Sequence, residues 1–153
     1  MKLRLGEWTA LAGIGCTIAS LVLPWYETSG ANLDFWDTFG GAAVLMLAAL
    51  AAASAMVVAA LLERDSPALP ISTAVWSVTL CLPGAIAALV RVLERPDHAS
   101  GLCAGAWLGL AGAVLMLVGS WVAMSDERTD RHRPAEPEPR PPVPENGTPP
   151  SRP

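Results

Sequence analysis

LCAGAWLGLAGAVLMLVGSWVAM, running from Leu102 to Met124, holds 23 residues without one Asp, Glu, Lys, Arg or His. As an α-helix it reaches roughly 34 Å, enough to cross a hydrocarbon layer of about 30 Å with some tilt. It is a membrane span. Gly101, Gly105, Gly109 and Ala113 recur every four residues along it, and such a stripe clears one side of bulk so that another helix backbone can come close. Packing against other spans of the same chain and packing against a second molecule would use this helix-packing face equally well, and both stay open.

Three more runs of the same character precede it, which makes the expected fold all-α: an integral membrane four-helix bundle with a disordered C-terminal tail. The spans fall at about residues 8–25, 40–62, 70–90 and 102–124, giving a transmembrane domain over 1–124 and a tail over 125–153. Composition agrees, since 52% of residues are hydrophobic and only 16% charged, against about a quarter charged in soluble domains. The charges are confined to the N-terminus, three short connections and the tail. A net charge of −4, with no basic patch bearing interleaved aromatics, excludes nucleic acid as a partner class. Cys16, Cys81 and Cys103 lie in or beside apolar runs without a CxxC and are expected to pack as small hydrophobes.

Taken in order, MKLRLGE at residues 1–7 leads into an apolar run ending in LVLPWYE. The layout resembles a signal peptide but lacks a small-x-small cleavage site, so an uncleaved first span is expected. Gly15 and Ala19 form a second small-xxx-small pair within it. Trp8, Trp25, Tyr26, Trp36 and Trp121 sit near span ends, where amphipathic rings suit the headgroup level, and are the candidate interface anchors. Trp76 and Trp107 lie several residues inside their runs, a depth that also suits the bundle core. In the first connection, Leu33, Phe35, Trp36 and Phe39 can gather on one side of a short interfacial helix while Asp34 and Asp37 point away.

The second span is rich in alanine and separated from the third only by Glu63 to Pro67 and its flanks, so the two are antiparallel neighbours. Pro83 followed by Gly84 falls well inside the third span. Proline there removes a backbone hydrogen bond and crowds the preceding turn, so a kink is expected at about Thr79 to Pro83. Asp97 and His98 form no ligand set by themselves. Ser125 to Pro153 holds nine of the 14 prolines and too little apolar surface to fold, with a PxxP match at Pro139 to Pro144 of the kind expected by chance.

Lys and Arg near span ends number six on the side shared by the N-terminus, second connection and tail, against Arg91 and Arg95 opposite. Both termini are therefore expected in the cytoplasm, with the protein in the cell membrane. The outer connections then carry a local charge of −3.

Chemistry is conspicuous by its scarcity. None of the four spans holds an ionisable acid or base, the usual mark of proton relays and ion paths. The polar inventory is Ser and Thr, which bond to carbonyls of their own helix. Glu7 sits at the edge of the first span with Lys2 and Arg4. No Ser/His/Asp set, HExxH or Gly-rich phosphate loop is present, so no catalytic, cofactor-binding or metal residues are assigned.

LPWYE at Leu23 to Glu27, FWDTFG at Phe35 to Gly40 and GAWLGLAGAVLMLVGSWVAMSDE at Gly105 to Glu127 together resemble small, uncharacterised four-span membrane proteins of high-GC bacteria. That resemblance covers residues 3–127 and implies the four-span layout without any activity. The expected role is structural or accessory, packing in the lipid bilayer against itself or a membrane-protein partner. The alternative is a carrier or pore for an apolar or neutral solute, with the Pro83–Gly84 kink as its gate.

Overall fold

The computed structural model describes residues 4–28, 30–62, 68–96 and 99–131. Helix α1 spans Leu5–Val22 and opens with Glu7 accepting the Arg4 backbone N–H at 2.9 Å, so that carboxylate completes a helix start rather than entering the bundle. It ends before Pro24, with Leu23 extended at φ −95° and ψ 147°, because the residue ahead of a proline is pushed out of the helical region. Two short strands follow, β1 at Tyr26–Thr28 and β2 at Asn32–Leu33. Then come the five-residue helix α2 at Phe35–Phe39, a 3-10 turn at Gly40–Ala42 and helix α3 at Ala43–Leu62. Helix α4 occupies Ala68–Leu93, strand β3 Ala99–Leu102 and helix α5 Ala104–Arg131.

Among the described residues four helices are long and apolar enough to cross a membrane, and they make an antiparallel bundle. Helix α1 packs along α5, α3 along α4, and α4 also against α5. The first and last spans are thus principal partners.

Several boundaries differ from the sequence expectation. The first span closes three residues before residue 25, so Trp25 and Tyr26 leave the helix and enter the strand region. The last span continues as helix to Arg131, whereas the tail was expected from residue 125. Residues 132–153, including the PxxP match, lie outside the described residues, as do Asp97 and His98. The three-stranded sheet, ordered β2-β1-β3 and antiparallel throughout, was not anticipated. It joins the first connection to the third, with Tyr26 opposite both Leu33 and Leu102.

Lipid-facing positions are apolar. Ile18, Val44, Val58, Leu82, Ile86 and Val118 are exposed, and so are Trp76 at 65% and Trp107 at 57%. Neither tryptophan fills the core. In a bilayer these surfaces meet acyl chains, where outward apolar side chains are the stable arrangement.

Candidate functional site

Two regions concentrate the specific contacts: the seam between α1 and α5, and the cap formed by the sheet and α2. In the seam the backbones touch. A Cβ added at Gly119 would lie 2.4 Å from the Ala10 N, one at Gly13 2.6 Å from the Met116 N, and one at Gly6 2.6 Å from the Ala123 N. Gly112 would meet Thr17 Oγ1 at 2.4 Å. No side chain larger than hydrogen fits such separations, which is how close helix approach is achieved in lipid.

Of the face read from sequence, Gly105 packs on the Pro24 and Leu23 carbonyls, Gly109 lies under the Trp25 ring, and Ala113 is buried in the same apolar cluster. These three positions are occupied from within the chain. Gly101 falls instead in β3, where an added Cβ meets nothing within 4 Å. Gly84 also marks close approach, with an added Cβ 2.9 Å from the Ala49 Cβ and 3.3 Å from the Leu45 carbonyl oxygen. Helix α4 runs through Pro83 without interruption.

The cap is aromatic. Trp25, Tyr26, Phe35 and Phe39 are all fully buried, so Trp25 and Tyr26 do not stand in the headgroups as anchors. Pro24 turns the chain back over the bundle end, which carries both rings inward. Trp25 meets Phe39 edge-on at 4.7 Å and Phe35 at 6.0 Å, and Phe35 stacks on Phe39 at 4.8 Å. Trp25 Nε1–H donates to the Ser20 carbonyl at 2.9 Å, giving the indole the polar partner that a buried Trp needs. Trp36 is exposed and touches the edge of this cluster through Phe35, whose ring it meets edge-on at 5.2 Å. Trp8 and Trp121 are exposed at the opposite end of the bundle.

Backbone bonds stitch the cap to the helices. The Pro24 carbonyl accepts the Gly105 N–H at 3.0 Å and the Trp25 carbonyl accepts the Cys103 N–H at 2.9 Å, so the start of α5 finds acceptors in the first connection. Ser100 Oγ donates to the Glu27 carbonyl at 2.9 Å. The Tyr26 hydroxyl donates to the Arg91 carbonyl in the last turns of α4. Tyr26→Phe is expected to destabilise the protein by about 1–3 kcal/mol, because a carbonyl loses its partner away from water. Burial pushes the Tyr26 phenol above its ordinary value of 10.0, partly opposed by Arg91 and Arg95. A raised folded-state value means that the phenol's contribution is whole below that ordinary value and is lost as pH climbs through the raised one. Thermal melts against pH should show an alkaline fall that Tyr26→Phe removes.

Inside the bundle, the Ser77 and Ser120 hydroxyls bond to each other at 2.7 Å, linking α4 to α5. Ser120 Oγ also donates to the Met116 carbonyl at 2.8 Å. The Cys81 thiol reaches Ser77 Oγ at 3.8 Å and donates to the Ala49 carbonyl on α3 at 3.7 Å. Thr9 and Thr79 donate to carbonyls four residues back, each at 2.8 Å. The interhelical pair was not legible, since nothing in the sequence sets the facing of residues 43 apart. A double-mutant cycle on Ser77→Ala and Ser120→Ala, read by thermal unfolding in mild detergent, is expected to give a coupling of about 0.6 kcal/mol and at most about 1.7 kcal/mol, the average and the ceiling for interhelical polar bonds in a membrane.

Among the described residues, no three of His, Cys, Asp and Glu gather into a metal-holding group. Cys16, Cys81 and Cys103 are free thiols. Compared with known proteins, the chain matches no family model, no curated protein and no solved structure. What the cap and seam can do follows from their own geometry.

Proposed function

We propose that this multi-pass membrane protein serves a structural or accessory role, without catalytic chemistry and without a resident cofactor. The observation that supports this reading best is where the tightest backbone contacts fall. A gated carrier would move its helices along the α1–α5 seam or about the Pro83–Gly84 kink. Those are the places where Gly13, Gly112 and Gly119 touch the opposing backbone and where Gly84 lies against Leu45 and Ala49. Packed cores and interfaces deform in discrete steps rather than continuously, so contacts this close favour a fixed scaffold. The four spans also lack buried acids and bases, which supports the same reading against ion-coupled transport.

Because Gly105, Gly109 and Ala113 already face the first connection and α1, a partner or second copy would meet a different, lipid-facing side of the bundle. The excess of Lys and Arg near the ends of the spans supports a cell-membrane orientation with both termini in the cytoplasm and the cap outside. The cap would then present Glu27, Asp34, Asp37 and Glu94, all exposed, to the outer solution.

Affinity purification of the tail-tagged chain in mild detergent, read by mass spectrometry and particle mass, tests the role. A reproducible stoichiometric partner supports an accessory subunit. A lone particle that carries a neutral solute into liposomes, with flux altered by substitution of Pro83, overturns it in favour of the carrier.

A further inference from the structure

Helix α2 lies across the aromatic cap with two different faces. Phe35 and Phe39 point inward and are fully buried, while Asp34, Trp36 and Asp37 are exposed. Five residues are too few to hold a helix by themselves. Asp34 caps the start by accepting the Asp37 N–H at 3.0 Å, and the two rings resting on Trp25 supply the tertiary hold.

The two attachments of α2 are unequal. On the N-terminal side β2 pairs with β1, and the Leu33 carbonyl accepts the Trp25 N–H at 2.8 Å. On the C-terminal side the Gly40 N–H donates to the Trp36 carbonyl and the Ala43 N–H to the Gly40 carbonyl, and within that single turn stand Gly40, with φ at +49°, and Gly41, where an added Cβ on either would meet nothing within 4 Å. Crowding therefore explains neither glycine, in contrast to those of the seam. Gly40 is required by its backbone conformation, and Gly41 by neither space nor a positive φ. Adjacent glycines in open space make a joint with more accessible conformations than any other residue pair provides.

We propose that α2 is a hinged aromatic lid: rotation at Gly40 and Gly41 lifts Phe35 and Phe39 off Trp25 while the β1–β3 pairing and the α1–α5 seam stay formed. The closed lid is the ground state, since two phenyl rings leave water as it shuts. Trp25, over Gly109, forms the floor beneath it, in one apolar cluster with Ala43, Met46 and Ala106. Space vacated by the rings suits an uncharged apolar group of similar size, because no carboxylate, imidazole, amine or guanidinium belongs to that cluster. This motion does not depend on the accessory role, since a scaffold can carry a lid.

The test uses the full chain in mild detergent with Trp8, Trp36, Trp76, Trp107 and Trp121, all exposed, replaced by Phe so that Trp25 reports alone. Iodide quenching of Trp25 is measured together with hydrogen exchange at the Asp37 and Thr38 amides, which are bonded to Asp34. The lid predicts measurable quenching and amide exchange that is insensitive to low denaturant, the behaviour of a local opening. Gly41→Ala should lower the opening roughly twofold to fivefold by narrowing the freedom of the joint. Gly40→Ala should raise it, because alanine is strained at the positive φ of the closed form. Quenching and exchange that appear only with global unfolding overturn the proposal, as does a shift of the same sign from both glycine substitutions. Gly41→Ala introduces no clash, so the comparison with the unsubstituted joint stands even where Gly40→Ala fails to fold.

Discussion

Replacing Gly13 and Gly119 together with leucine should prevent recovery of a monodisperse particle in mild detergent. Each added Cβ alone would lie within 2.6 Å of backbone on the other helix, and backbone cannot move aside as the end of a flexible side chain can. Overpacking ordinarily costs about 1–3 kcal/mol per site, and two sites along one seam force the helices apart over its length. The control is Gly15→Leu, on the same helix, where an added Cβ meets nothing within 4 Å. Size-exclusion profiles and thermal melts of the three proteins decide the matter. A double mutant that elutes and melts like the unsubstituted chain would show that α1 and α5 do not meet at this seam. Gly105→Leu with Gly109→Leu should act in the same direction, by pushing Pro24 and the Trp25 ring off the start of α5.

Trp25→Ala should cost about 3–5 kcal/mol, the usual loss on truncating a buried aromatic. Its ring is fully buried, it is the common neighbour of Phe35 and Phe39, and its Nε1–H occupies the Ser20 carbonyl. Loss of near-ultraviolet circular dichroism should accompany the fall in melting temperature, because the rings then lack a fixed asymmetric setting. Trp107→Ala removes an indole that is 57% exposed on the lipid side and should change melting by much less. Equal losses from the two substitutions would mean that the aromatic cap does not hold the bundle end.

The spans were legible because length and the absence of charge are sufficient to mark a membrane helix. The seam was legible only in part, for a geometric reason. A strict four-residue repeat advances about 40° beyond a full turn at each step, so Gly101, Gly105, Gly109 and Ala113 wind gradually off a single face. Contact with α1 and the turn that ends it instead follows Gly105, Gly109, Gly112, Met116, Gly119 and Ala123, alternating steps of four and three as a real helix stripe does. Gly6, Ala10 and Gly13 answer that stripe from the first span, but sequence does not say that residues so distant in the chain face each other. The strands YET, NL and ASGL are too short to carry an alternating pattern, so the sheet was invisible. Trp25 and Tyr26 were misplaced because rings that follow a span suit either an interface or a cap, and only the turn at Pro24 chooses between them.

Pairing of the first span with the last has a bearing on how the chain is made. At about 5–20 residues per second, roughly 5–20 s separate synthesis of Gly13 from that of Met116. Throughout that interval the bare glycine face of the first span has no mate, while α3 and α4, once made, can close on each other as a hairpin before α5 exists. Insertion therefore leaves an unfinished intermediate whose exposed groove must be shielded by lipid, by the insertion machinery or by a chaperone until α5 arrives. A chain truncated just short of Ala104 and released from the ribosome would hold the protein in that state, and the fifth helix, expressed as a separate polypeptide, would be the piece that completes it.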